Sequence, residues 1–224
     1  MKNYSYVLEF SNKTVSKDLI VKALKYAWQY TPSKNNFMNY SVHVIGPENK
    51  NLRQSLYYKC LEQQMKANNQ KAANLDDYDK YLHDKNQIPN FKNILSAPYI
   101  IIYTQRVCKS LNRLQELNVK NGMVFEQTYE KGTRKYDSAN KNSRVEVGMF
   151  SANFSSKCLK LGIDISYIAC MPTELEAWQE PEWNFISHRP IIIQLAGYGE
   201  VYKKDVINPV IDLKPNFDEV VNIL

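Results

Sequence analysis

The sequence predicts a single α+β domain. Two apolar runs of strand length, Tyr99 to Tyr103 and Ile191 to Leu195, the second interrupted only by Gln194, stand among stretches with helical periodicity. No internal repeat and no Gly- or Ser-rich linker divides the 224 residues, a length that fits one sizeable domain. A hydrophobic content of 44% and an aromatic content of 12% supply ample material for a core.

Residues 16–30 read as a helix. Ser16 suits the cap, Asp18 suits the first turn, and Leu19, Ile20, Ala23, Leu24 and Ala27 recur at helical spacing until Pro32 stops the run. Residues 40–46 alternate and end in Gly-Pro, which predicts a strand holding His43, read as a structural histidine. Residues 51–73 suggest a surface helix and 74–93 continue polar and Tyr-rich. The run after Pro98 is apolar throughout and predicts a strand buried on both faces. Residues 105–144 read as a long excursion, either a lid or a decorative insertion. Residues 145–161 predict the best helix, with one stripe of Val147, Phe150, Phe154, Cys158 and Leu161 and a second, small-residue stripe of Gly148, Ala152 and Ser155. Gly162 stops it. A strand over 163–170, a short helix plus loop over 174–187 and the strand 191–195 follow. The tail from about residue 201 to Leu224 is extended, and its apolar residues call for a partner surface.

The formal net charge of +6 is mild and scattered, short of a nucleic-acid footprint, and no apolar run approaches the ~20 residues of a membrane span. Cys60, Cys108, Cys158 and Cys170 form no C-x-x-C pair, and Cys158 and Cys170 read as small core residues. With no leader-like segment, a reducing cytoplasmic setting is expected. Three dispersed histidines disfavour a metal site, and Asp76, Asp77 and Asp79 lack the glycine and final Glu of a calcium loop. No nucleophile elbow, phosphate loop or dinucleotide fingerprint occurs. A chain without its own catalytic constellation can leave the hard chemistry to a cofactor.

The segment Tyr30 to Tyr40 is the most informative. Behind a proline stop it gathers Ser33, Lys34, Asn35 and Asn36, a mixture of hydroxyl, ammonium, carboxamide and backbone N–H groups suited to a polar heterocycle with a phosphate tail. Thr31-Pro32-Ser33-Lys34-Asn35-Asn36 resembles the A-P-S-x-x-N turn of the FMN-dependent nitroreductase family. Ser96-Ala97-Pro98 with its apolar run, Glu146-Val147-Gly148 through Leu161-Gly162-Ile163, and Leu195-Ala196-Gly197-Tyr198-Gly199 resemble further motifs of that family in the same order.

The resemblance implies a mixed or antiparallel sheet flanked by helices in an intertwined homodimer. FMN would lie at the interface, with the 201–224 tail on the partner subunit. It also implies that a hydride passes from NAD(P)H through flavin N5 to a nitroaromatic, quinone or similar acceptor, with no catalytic protein residue. Ser33, Lys34 and Asn36 become cofactor residues, the segment Met171, Pro172 and Thr173 would supply N–H donors to the ring edge, and Lys203 and Lys204 would meet the phosphate. The chain also departs from the family. Ser5 and Leu8 stand where family members carry phosphate-gripping arginines, and Asp164 stands where a glycine is usual. These departures frame the alternative, a catalytically degenerate nitroreductase-fold protein that binds flavin or acts as a scaffold.

Overall fold

The computed structural model describes residues 6–33, 38–67, 92–106, 113–122, 134–172 and 174–202, without the side chains of 113–115 and 134–140. In chain order the elements are β1 (Val7–Phe10), α1 (Lys17–Tyr30), β2 (Tyr40–Ile45), α2 (Lys50–Ala67), α3 (Asn93–Ser96), β3 (Tyr99–Gln105), α4 (Arg113–Lys120), α5 (Arg134–Lys160), β4 (Asp164–Ile168), β5 (Pro190–Gly197) and β6 (Gly199–Tyr202). Two short 3₁₀ turns, Leu175–Trp178 and Pro181–Trp183, join β4 to β5.

A four-stranded sheet runs in the order β2-β3-β5-β4, and β1 pairs with β6 in a separate ribbon. Every pairing is antiparallel. Strand alternation sorts the central side chains between two layers. Ile100 and Ile102 of β3, with Ile193 and Leu195 of β5, face Leu56, Cys60 and Leu61 of α2 and the indoles of Trp178 and Trp183. Ile101 and Tyr103, on the other face, pack against Ile20, Ala23 and Ala27 of α1 and Phe150, Phe154 and Cys158 of α5. The apolar run of β3 is therefore buried on both sides, as its continuity predicts, and Ile100 to Tyr103 are all fully buried.

Side chains fasten β1 to the main sheet. Ser166 Oγ accepts from the Val7 amide at 2.9 Å and donates to the Val7 carbonyl at 3.1 Å. Asn93 Nδ2 donates to the same carbonyl at 2.6 Å, and Ser96 Oγ accepts from the Phe10 amide at 3.0 Å. Ser16 caps α1 by accepting from the Asp18 amide at 3.2 Å.

Three boundaries differ from the sequence reading. β3 continues through Gln105, α4 occupies part of the expected excursion, and α5 begins at Arg134 rather than 145. Polar helical turns such as 134–144 carry no apolar periodicity to betray them. The segment 174–187 forms 3₁₀ turns, because Pro181 and the closely spaced Trp178 and Trp183 favour tight turns packed on α2 over a regular helix. The small-residue stripe on α5 also divides. Gly148 and Ala152 are exposed, whereas Ser155 is buried and bonded to Gln194.

A helix carrying the cofactor-type turn

The connection from α1 to β2 is built on α5. Thr31 Oγ1 donates back to the Ala27 carbonyl at 2.6 Å, closing the end of α1. Asn153 Nδ2, from α5, donates to the Tyr30 carbonyl and to Thr31 Oγ1, both at 3.2 Å. Two residues on, Ser33 Oγ donates to Glu146 Oε2 at 2.9 Å and accepts from the Met38 amide at 2.7 Å. Arg106, just past β3, grips the far side, its Nε donating to the Met38 carbonyl and its amide to the Asn39 carbonyl, each at 3.1 Å. Met38 adopts φ 45°, a left-handed conformation that a non-glycine residue holds only when its surroundings enforce it.

Glu146 is 3% exposed, a buried carboxylate beside Val147. Tyr40 lies near it. Its hydroxyl is buried without a hydrogen-bond partner among the described residues. Burial, then the negative charge of Glu146, pushes that phenol up to about 12, with Arg106 pulling the other way. The rings of Tyr40 and Tyr103 both meet Phe150 edge-on, at centroid separations of 5.5 and 5.8 Å.

Deeper between α5 and the sheet runs a neutral polar network. Tyr103 donates to Gln194 Oε1, and Gln194 Nε2 donates to Ser155 Oγ at 2.8 Å and to the Ser151 carbonyl at 3.2 Å. Ser155 Oγ shares a 2.8 Å bond with the Tyr167 hydroxyl. Each polar group here has a partner, so the network fixes the packing of α5 on β3, β4 and β5 rather than offering a free acid or base.

The structure places the sequence-nominated residues apart. Ser33 lies at the α1–α5 layer, bonded to Glu146. Met171 is buried in the opposite core, against the α2 face. Its amide donates to the Ala169 carbonyl at 3.0 Å, and the Pro172 carbonyl accepts from Trp178 Nε1 at 3.1 Å. Pro172 has no N–H to offer. The ring-edge donor role expected of this segment therefore narrows to Thr173, which lies outside the described residues, as do Lys34, Asn36, Lys203 and Lys204. Leu8 is buried at 7% exposure, an apolar member of β1 that brings no charge.

Asp164 has a definite task. Its Oδ2 accepts from the Gly199 amide at 3.0 Å and from the Tyr202 hydroxyl at 3.1 Å. The acid in place of a family glycine ties the β5–β6 corner to the start of β4. His43 bonds Thr104 Oγ1 at 3.0 Å and packs on Phe185, and burial lowers its pKa, all in keeping with a structural histidine.

Sequence reasoning passed over Glu146, Asn153 and Arg106 as functional residues. For Glu146 a signal was present, since it shares the 146, 150, 154 register with Phe150 and Phe154, and a carboxylate on an apolar stripe calls for a partner.

A separate basin of about 430 Å³ lies between α2, α3 and the β1–α1 connection, lined by Asn12, Lys50, Arg53, Tyr57 and Leu95. Its Arg53 is committed to the carbonyls of Ala97 and Pro47. Among the described residues no group of His, Cys, Asp and Glu is arranged to hold a metal ion, and no helix is long and apolar enough to cross a membrane.

Comparison with known proteins agrees with this architecture. No curated protein matches the sequence. Among solved structures, a nitroreductase family protein from Streptococcus pneumoniae superposes with a TM-score of 0.61 at 15% identity, covering 100% of this chain and 97% of that one. A BluB-like flavoprotein from Clostridium difficile gives 0.59 at 17% identity, covering 99% and 95%. A Staphylococcus epidermidis protein provisionally named an NAD(P)H:FMN oxidoreductase gives 0.64 at 11% identity, covering 99% and 92%. At such identities these likenesses speak for the fold alone. The sequence model of the nitroreductase family matches residues 7–185, and with the antiparallel sheet, its flanking helices and the turn held on α5 this shows that the chain belongs to the nitroreductase family.

Proposed function

We propose that this protein is an FMN-dependent oxidoreductase that passes a hydride from NAD(P)H to a nitroaromatic, quinone or similar small acceptor. The observation that carries the reading is the family match across residues 7–185, which spans the whole turn and the α5 helix that supports it.

The residue types at 33–36 and at 203–204 support FMN as the ligand. The Ser33 to Asn36 turn offers backbone N–H, ammonium and carboxamide groups, and its two ends are held. β6 ends at Tyr202, fixed through Asp164, and Lys203 and Lys204 follow it in the sequence. The donor set does not fit at β1, where buried Leu8 replaces a charge. Ser33, Lys34, Asn36, Thr173, Lys203 and Lys204 would hold the cofactor, the lysines supplying point charges in place of an arginine fork. Bound FMN supplies hydride acceptance and donation at N5. The chain's part is to bind and orient.

Ser33 and Met171 pack on opposite faces of one sheet, which supports a site completed by a second copy. So does the exposed stripe on α5, where Val145 is 61% exposed beside Gly148 and Ala152, and so do Trp28 and Tyr30 at the end of α1, 60% and 57% exposed. The 201–224 tail would lie on that partner. A reducing cytoplasm is the setting we propose, and Cys60, Cys158 and Cys170 as free thiols support it.

An absorbance spectrum of the purified protein with added FMN tests the reading. Retained flavin bands that NADH or NADPH bleaches support it. Failure to retain flavin with FMN in excess refutes it and favours the second reading, a flavin-free scaffold, to which the buried Leu8 lends weight.

A further inference from the structure

We infer that Glu146 is a positioning residue for the proposed cofactor turn, acting through Ser33 to hold the Met38 backbone while Asn153 fixes the end of α1 at Tyr30 and Thr31. The inference rests on the proposed flavin reading for its functional consequence, although its geometry stands alone.

Glu146 and Asn153 are seven residues apart, two turns of α5, and so point to one side of the helix. That side meets the turn at two places, Asn153 at Tyr30 and Thr31 and Glu146 at Ser33. Between Ser33 and Met38 lie the residues assigned to the cofactor. A serine hydroxyl can accept from the Met38 amide only if its own proton points elsewhere. The Glu146 carboxylate takes that proton, which turns the hydroxyl's lone pair toward Met38. Arg106 holds the Met38 carbonyl, so the residue's left-handed backbone is gripped at both its N–H and its C=O. A carboxylate taken almost wholly out of water is costly unless it is hydrogen-bonded, and here it meets the hydroxyl on which the turn depends. Glu146 need not touch the cofactor to govern its affinity.

The test uses the full chain carrying Glu146→Gln, Glu146→Ala or Glu146→Leu. Three quantities are read. They are the exchange rate of the Met38 amide without FMN, the FMN dissociation constant by fluorescence quenching, and the thermal midpoint. Glutamine keeps an oxygen that accepts from Ser33, so Glu146→Gln stays within about threefold of wild type in exchange and affinity. Alanine and leucine remove the acceptor. Met38 exchange then rises about 10- to 100-fold, the range for losing a hydrogen bond to a charged group. FMN binding weakens at least about tenfold, while amides of β3 and β5 keep their protection. Leucine fills the space that alanine leaves, so an effect shared by the two variants reflects the lost acceptor and not a cavity.

Unchanged Met38 exchange in both the alanine and leucine variants would overturn the inference. Faster exchange with unaltered FMN affinity would also overturn it, leaving a structural tie without a positioning role. Damage by glutamine equal to that by alanine would make charge, not the clamp, the determinant. A wild-type chain that binds no FMN would defeat the functional reading, whereas Met38 exchange would still decide whether the clamp exists.

Discussion

Removing the Asp164 carboxylate should loosen one corner of the molecule in a measurable way. Its Oδ2 collects the Gly199 amide and the Tyr202 hydroxyl, at 3.0 and 3.1 Å, in a residue only 9% exposed. Hydrogen bonds to a charged group contribute about 1.5–3 kcal/mol each. Tyr202 is only half-buried, so the pair is placed near the lower end, and Asp164→Ala should cost about 3 kcal/mol. For a chain of this size each kcal/mol moves the midpoint by about 2–4 °C, which gives a fall of about 6–12 °C. Tyr202→Phe removes one of the two bonds and should lose about 1.5 kcal/mol. Asp164→Asn retains an acceptor oxygen and should fall between. Differential scanning calorimetry gives the midpoints, and hydrogen exchange at Gly199 shows where the loss is local. An Asp164→Ala midpoint within 1 °C of wild type would refute the reasoning, as would a Tyr202→Phe loss equal to that of the alanine variant.

Other substitutions test the packing and the titration of the fold. A Cβ at Gly197 would meet Pro98 Cδ at 2.6 Å and Phe10 Cδ1 at 2.7 Å, so Gly197→Ala should destabilise by about 1–3 kcal/mol in urea unfolding through overpacking. Trp183 is fully buried, edge-on to Trp178 at 5.1 Å and bonded through Nε1 to Ser55 Oγ at 2.9 Å. Trp183→Ala should cost about 3–5 kcal/mol by chemical denaturation, and Trp183→Phe should cost less. His43 is held neutral by burial, so its folded pKa lies below its unfolded one. Stability is then full above about pH 6.5 and declines as pH falls from there through the folded pKa, because the unfolded chain takes up a proton that the folded chain refuses. His43→Gln should flatten that slope, and identical wild-type and variant slopes between about pH 6.5 and 5 would refute the assignment.

The reach of the sequence depended on what each residue had to satisfy. Burial of β3 on both faces was legible because a strand between two apolar layers must be apolar at every position, and Tyr99 to Tyr103 are. Ser16 announced the start of α1 because a cap is a local requirement, met two residues away. The start of α5 was hidden because its first turns are polar. The turn was legible as a loop of unusual chemistry, yet its anchors were not, because Glu146 and Asn153 lie more than a hundred positions from Ser33 and Tyr30. Distance in sequence also hid the role of Asp164. Read alone it was an acid in place of a glycine, a mark of decay. In the fold it is the acceptor for two donors beyond β5, and so it ties β6 to the start of β4.

A one-dimensional motif can name Ser33 and Met171 together, but the sheet sets them on opposite faces, each committed to bonds within its own layer. Bringing both against one small molecule would require breaking a core that has Ile100 to Tyr103 fully buried between the layers. The proposed second copy would need no such rupture, if the turn of one chain met the Met171 segment of another. Size-exclusion chromatography with light scattering should therefore give about twice the 26.1 kDa chain mass. Introducing an arginine at Gly148, on the exposed stripe of α5, should shift that value toward one chain and abolish FMN retention together. A monomeric wild-type protein that retains FMN would refute the shared site.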